Sequence, residues 1–97
     1  MIKRIVKMSF KPGQVPAFKA IFEANWQSIK GSAGCHHVEL LQDEHNPSLF
    51  FTYSLWESEA HLNAYRNSDL FGRVWGATRL LFDDKPQAWS LKELDFS

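Results

Sequence analysis

From Ile2 to Phe10 the chain alternates. Ile2, Val6, Met8 and Phe10 fall on one parity and Lys3, Ile5, Lys7 and Ser9 on the other, the pattern of a strand with one dry face. Lys11-Pro12-Gly13 breaks it. The period then becomes helical: Val15, Phe18, Phe22, Trp26 and Ile29 form one stripe, with Lys19, Glu23, Gln27 and Lys30 opposite. Pro16 suits the first turn of this helix, and Gly31 and Gly34 end it. Cys35 to Gln42 predicts a second strand, Asp43-Glu44-His45-Asn46-Pro47 a short turn, and Ser48 to Trp56 a third strand antiparallel to the second. That third strand is apolar on both sides. Phe50 lies on one, and Leu49, Phe51, Tyr53 and Leu55 on the other, so it belongs inside a sheet with apolar matter before and behind it.

Trp56 then leads directly into Ser58, a helix cap, and Glu59, an acid well placed near the positive end of the helix. Asn67-Ser68-Asp69 interrupts this helix, and Ser68 caps a second segment whose stripe is Phe71, Val74, Trp75, Thr78 and Leu81. Asp83-Asp84-Lys85-Pro86 stops it, and Gln87 to Leu94 predicts a last strand with Trp89 and Leu91 on one face. The order is β-α-β-β-α-β. With right-handed crossovers it closes as an α+β, ferredoxin-like fold: a four-stranded antiparallel sheet with the helices on one face. The other face carries Leu49, Phe51, Tyr53 and Leu55, which need a cover. A second copy placed sheet to sheet by a two-fold axis supplies it, so these four residues predict a homodimer interface.

At 97 residues the chain forms a single domain spanning 1–97. Aromatic residues reach 14%, more rings than a small core hides easily, which again favours a partner surface or a ligand. The formal net charge is zero, and Lys3, Arg4, Lys7 and Lys11 read as a solvated strand edge, so the electrostatic footprint of nucleic-acid binding is missing. Cys35 is the only cysteine, which excludes an intramolecular disulfide and a cysteine-rich zinc site. Met1-Ile2-Lys3-Arg4-Ile5 does not resemble a signal peptide, and no apolar run approaches membrane-spanning length; the expectation is a soluble cytoplasmic protein with no membrane partner.

Several motifs together carry a family resemblance: Lys11-Pro12-Gly13 after the first strand, Gly34-Cys35 opening the second, Asn46-Pro47 in the hairpin, Trp56-Glu57-Ser58-Glu59, and Ser68-Asp69-Leu70-Phe71. On these the chain resembles the antibiotic biosynthesis monooxygenase (ABM) family over nearly its whole length. The resemblance implies a dimeric α/β barrel built from ferredoxin-like protomers. It also implies a pocket between sheet and helices in which an aromatic polyketide or quinol is oxidised by dioxygen without metal or flavin. The strand-three tryptophan of the family corresponds to Trp56. Thr52 and Leu62 stand where polyketide-oxidising members carry an asparagine and a tyrosine; Tyr65 and Leu70 stand where many members carry histidines. The asparagine, tryptophan and histidine of the haem-degrading branch correspond approximately to Val6, Tyr65 and Trp75, which points away from haem. Fold alone does not fix an activity.

Trp26, Trp56, Tyr65 and Trp75 serve either as a cage for a planar ligand or as plain core; Phe50 and Thr52 complete the candidate substrate-binding set. Tyr65 is a candidate for hydrogen bonding a substrate oxygen, and Arg79, one turn past Trp75, for pairing with an anionic substrate. His36 and His37 point to opposite faces of a regular strand and cannot share one metal ion, and no suitably spaced ligands join them, so no metal site is expected. The one facing the pocket would take a proton from a phenol. Parity favours His36, which matches Val38 and Leu40, and leaves His37 open. The resulting functional expectation is a cofactor-independent monooxygenase acting on a quinol or small electron-rich aromatic, with His36 and Tyr65 as catalytic candidates. The alternative is a non-catalytic dimeric domain that binds a small apolar ligand.

Overall fold

The computed structural model describes residues 1–96. Four strands, β1 (Ile2–Ser9), β2 (Cys35–Gln42), β3 (Leu49–Trp56) and β4 (Gln87–Leu91), form one sheet in the order β2-β3-β1-β4. All three pairings are antiparallel. Helix α1 (Val15–Lys30) joins β1 to β2; α2 (Glu59–Arg66), α3 (Asp69–Thr78) and a 3₁₀ turn (Arg79–Leu81) join β3 to β4. This is the α+β, ferredoxin-like arrangement read from the hydrophobic pattern, with β3 inside the sheet between β1 and β2.

Both predicted serine caps are made. Ser58 Oγ accepts from the backbone N–H of His61 at 3.2 Å, and Ser68 Oγ accepts from that of Phe71 at 3.1 Å. Ser68 also donates to the carbonyl of Tyr65 at 2.6 Å, so one hydroxyl closes α2 and opens α3. At the hairpin, the Asp43 carboxylate accepts from the N–H groups of His45 and Asn46, a side-chain-built turn that sets the register of β2 against β3.

The helix-facing side of the sheet holds the core. Met8, Phe10, Phe18 and Phe50 are buried together, with Val6, Phe22, Trp75 and Phe82 against them. Phe10 leaves β1, pairing as an isolated bridge with Phe82, and stacks on Phe18 with ring centroids 4.2 Å apart. The opposite sheet face is half-buried at Leu49, Phe51, Tyr53 and Leu55, and Trp89 and Leu91 beside them are exposed.

Two expectations are corrected. The last strand ends at Leu91 rather than Leu94. It is an edge strand whose only partner is β1, and with Lys3 opposite Leu91 that partner has almost run out. β1 is an inner strand, so none of Lys3, Arg4 and Lys7 lies on a solvated edge. Lys3 and Lys7 stand opposite Leu55 and Phe51 on the outer face, and Arg4 does not share their face. It stands opposite Ser54, on the parity of Val6 and Met8, and so beneath the helices.

The turn into β2 is locked by a close approach. Gly34 has φ +80°, its carbonyl accepts from the N–H of Glu57 at 2.7 Å, and a Cβ at this position would overlap the His61 imidazole. Gly34→Ala is therefore expected to cost about 2 kcal/mol, a fall of roughly 10 °C in melting temperature. Combining it with His61→Ala should recover only part of the steric cost, because the Cβ of residue 61 would still lie 2.6 Å from the added methyl, and none of the backbone cost. Thermal unfolding of the two single variants and the double variant measures the split.

Candidate functional site

The strand ends and helices enclose a cavity of about 380 Å³ between the sheet and α1, α2 and α3. Its sheet floor is the even-numbered set of β1, β2 and β3: Arg4, Val6 and Met8, then Val38, then Thr52, Ser54 and Trp56. Its roof comes from Phe18, Phe22 and Ile29 of α1, from Leu62, Tyr65 and Arg66 of α2, and from Phe71, Val74, Trp75 and Thr78 of α3; Pro86, Gln87 and Ala88 close the β4 side. Trp56 and Trp75 both border this open space.

Trp56 is 1% exposed, and its indole N–H donates to Ser54 Oγ at 3.0 Å, which removes the penalty of burying that donor. Tyr65 stacks on it with centroids 4.9 Å apart and planes at 26°. Phe71 meets the edge of Tyr65 at 5.3 Å, and Trp75 lies nearly parallel to Phe71 at 5.9 Å and 9°. This run of rings exists because Ser68 reverses the chain between α2 and α3, bringing Tyr65 and Phe71 together. The Thr78 hydroxyl, also buried here, donates to the carbonyl of Val74 at 2.8 Å and is satisfied within its own helix.

Thr52, Trp56, Tyr65 and Trp75 of the sequence-derived set meet in the cavity. Three others do not. Phe50 is 1% exposed and belongs to the core cluster with Phe10 and Phe18 rather than to the cavity wall. Arg79 sits exposed at the start of the 3₁₀ turn. His36 is absent from the wall for a backbone reason. Cys35 pairs with Trp56 and His37 with Leu55, so His36 is the extra residue of a β-bulge. Its side chain is 45% exposed, with Nε2 4.0 Å from Glu57 Oε1. The bulge also puts His37 on the outer face beside Tyr53, where its ring meets Glu39 Oε1 at 3.1 Å. Neither histidine reaches the cavity, and Trp26 lies over a separate shallow groove beside Leu40. Among the described residues no group of three or more His, Cys, Asp or Glu is placed to hold a metal ion, and no helix is long and apolar enough to cross a membrane.

Sequence reasoning missed Arg4 and Arg66, the only charged side chains among the described residues of the cavity wall. Arg4 shares parity with Val6 and Met8, a signal that was available; Arg66 looks like any basic residue in the last turn of a helix.

The model of the antibiotic biosynthesis monooxygenase family matches residues 1–75 of the 97. The chain belongs to that family. None of the curated proteins matches the sequence. Among solved structures, a conserved protein of Methanosarcina mazei superposes with a TM-score of 0.91 at 19% identity, covering 96% of this chain and 92% of that one. A structure described as an antibiotic biosynthesis monooxygenase gives 0.92 at 16% identity, covering 98% of this chain and all of the other. A protein of Pseudomonas aeruginosa gives 0.86 at 24% identity, covering 97% and 94%. At such identities the likeness is one of fold. On this ABM fold, the positions singled out by resemblance, Val6, Thr52, Trp56, Leu62, Tyr65 and Trp75, all line the one cavity, whereas Leu70 does not.

Tyr65 is the titratable group most altered by this setting. Burial, and secondarily the nearby Cys35 thiol, push its pKa up to about 12, so its hydroxyl is neutral at pH 7 and available as a donor. Below pH 10 the hydroxyl is protonated whether the chain is folded or not. Between pH 10 and 12 only the folded form keeps the proton, so stability must fall as pH rises, by on the order of 2–3 kcal/mol in total. Tyr65→Phe should remove that part of the alkaline loss, as read from urea unfolding at stepped pH values.

Proposed function

We propose that this ABM protein is a cofactor-independent monooxygenase that oxidises a quinol or a small electron-rich aromatic with dioxygen. The observation that carries the proposal is the open cavity of about 380 Å³ walled by the Trp56–Tyr65 and Phe71–Trp75 stacks. It is within the range of roughly 300–1,000 Å³ usual for small-molecule sites. A planar ring held against Trp56 and Trp75 would present an oxygen to the neutral hydroxyl of Tyr65, with Thr52 as a second polar contact. The electron pairs come from the substrate: quinol plus dioxygen gives hydroxyquinone plus water, a balance that needs no outside reductant. The protein's part is to hold the electron-rich ring, orient its oxygen and keep bulk water from the reacting carbon.

Two copies are proposed to meet through Leu49, Phe51, Tyr53 and Leu55. These residues form a contiguous apolar strip on the face away from the helices, and Ile5, Trp89 and Leu91 extend it across β1 and β4. The cavity lies on the other side of the sheet, so such a pairing supports the floor of the site without filling it.

A second reading is favoured by one specific observation. No histidine or carboxylate lies among the described residues of the cavity wall, so no side chain there is suited to take a proton from a phenol. In that reading the domain binds a small apolar ligand without turning it over.

Oxygen uptake with a panel of quinols separates the two. Turnover above the buffer rate that falls at least tenfold in Tyr65→Phe and Trp56→Phe supports the oxygenase. Ligand binding without uptake supports the second reading. For the assembly, sedimentation should show a dimer for the wild type and a monomer for Phe51→Asp; a wild-type monomer in dilute solution would refute the sheet-to-sheet pairing.

A further inference from the structure

Arg4 and Arg66 reach the cavity from opposite layers, one from the sheet floor and one from the last turn of α2. Both border the same space, the Arg66 charge acts on Arg4, and the described residues of the wall are otherwise apolar or neutral. Neither guanidinium takes part in any of the ion pairs found among the described residues, which involve Lys3, His36, His37 and His61. Arg4 spends one N–H on Ser90 Oγ at 2.9 Å, leaving most of its donors free. Burial, and then the Arg66 charge, lower its pKa from the ordinary arginine value, the response of a cation held without a counter-charge. Two like charges brought to one apolar cavity are unfavourable in the empty protein, and a bound anion turns that repulsion into a bidentate attraction.

We infer that the cavity selects an aromatic carboxylate, whose ring lies against the Trp56–Tyr65 and Phe71–Trp75 stacks and whose carboxylate is held between Arg4 and Arg66. This rests on the proposal that the cavity takes an aromatic ligand and adds the acid group to it. A substrate of this class is a hydroxylated aromatic acid rather than a neutral quinol. The arginines fix which end of the ring carries the acid group.

Isothermal titration calorimetry with 2-naphthoate and its neutral counterpart 2-naphthamide tests this on the full chain. The wild type should bind naphthoate roughly tenfold or more tighter than naphthamide, with the preference shrinking at high salt. Arg66→Gln, at an exposed position that leaves the fold undisturbed, should lose most of that preference while keeping its affinity for naphthamide. Arg4→Gln should do the same, and Arg4→Lys should retain part of it. Equal affinity for the two probes, or a naphthoate preference unchanged in both Gln variants, overturns the inference and leaves the aromatic site standing. Failure of both probes to bind overturns the aromatic site as well.

Discussion

Trp56 is the residue on which the site and the fold jointly depend. Its ring is almost wholly buried where β3 ends and α2 is about to begin, and its one polar atom is satisfied by Ser54 two residues earlier on the same sheet face. An indole in that place serves two geometries at once. It ends the strand against Cys35, and it offers a flat surface on which Tyr65 stacks, which orients α2 over the sheet. From Tyr65 the ring contacts continue through Phe71 and Trp75 to Phe82, Phe10, Phe18 and Phe50. Cavity wall and hydrophobic core are thus one connected aromatic system. Its two ends differ mainly in whether the space between sheet and helix is filled by phenylalanine or left open.

Much of this was legible from residue patterns, because the physics involved is local. A period of two followed by a helical period, with Lys11-Pro12-Gly13 between, determines β1 and α1. Serine caps at 58 and 68 require no tertiary knowledge. The two apolar faces of β3 follow from counting alternate residues, and so does the need to cover the face away from the helices. Trp56, Tyr65 and Trp75 come to a pocket through their aromatic character taken together with the family resemblance.

What escaped were features that depend on an irregularity or on a charge going where charges seldom go. A bulge has no composition of its own, so alternation through β2 pointed His36 inward with Val38 and Leu40. Arg4 was grouped with neighbouring lysines by chemistry, when its parity placed it with Val6 and Met8. Helical spacing from Trp75 points to Arg79, yet the chain has already tightened into a 3₁₀ turn there, and Arg66 at the α2 terminus is what lines the cavity. Phe50 was assigned to the ligand through correct parity. Its distance along the strand from Trp56 puts it at the filled end of the aromatic system instead.

The bulge at His36 has a bearing on how relatives of this chain are to be compared. Upstream of it, odd-numbered Cys35 shares a face with Trp56; downstream, even-numbered Val38 and Leu40 do. Losing one residue here would restore an unbroken ladder, yet every side chain from Val38 onward would keep its neighbours only if the gap were opened at this point and nowhere else. Alignments drawn straight through the strand would match inward residues of one homologue to outward residues of another. A homologue's histidine written beneath His36 therefore occupies the same spatial position only if that homologue has the same extra residue.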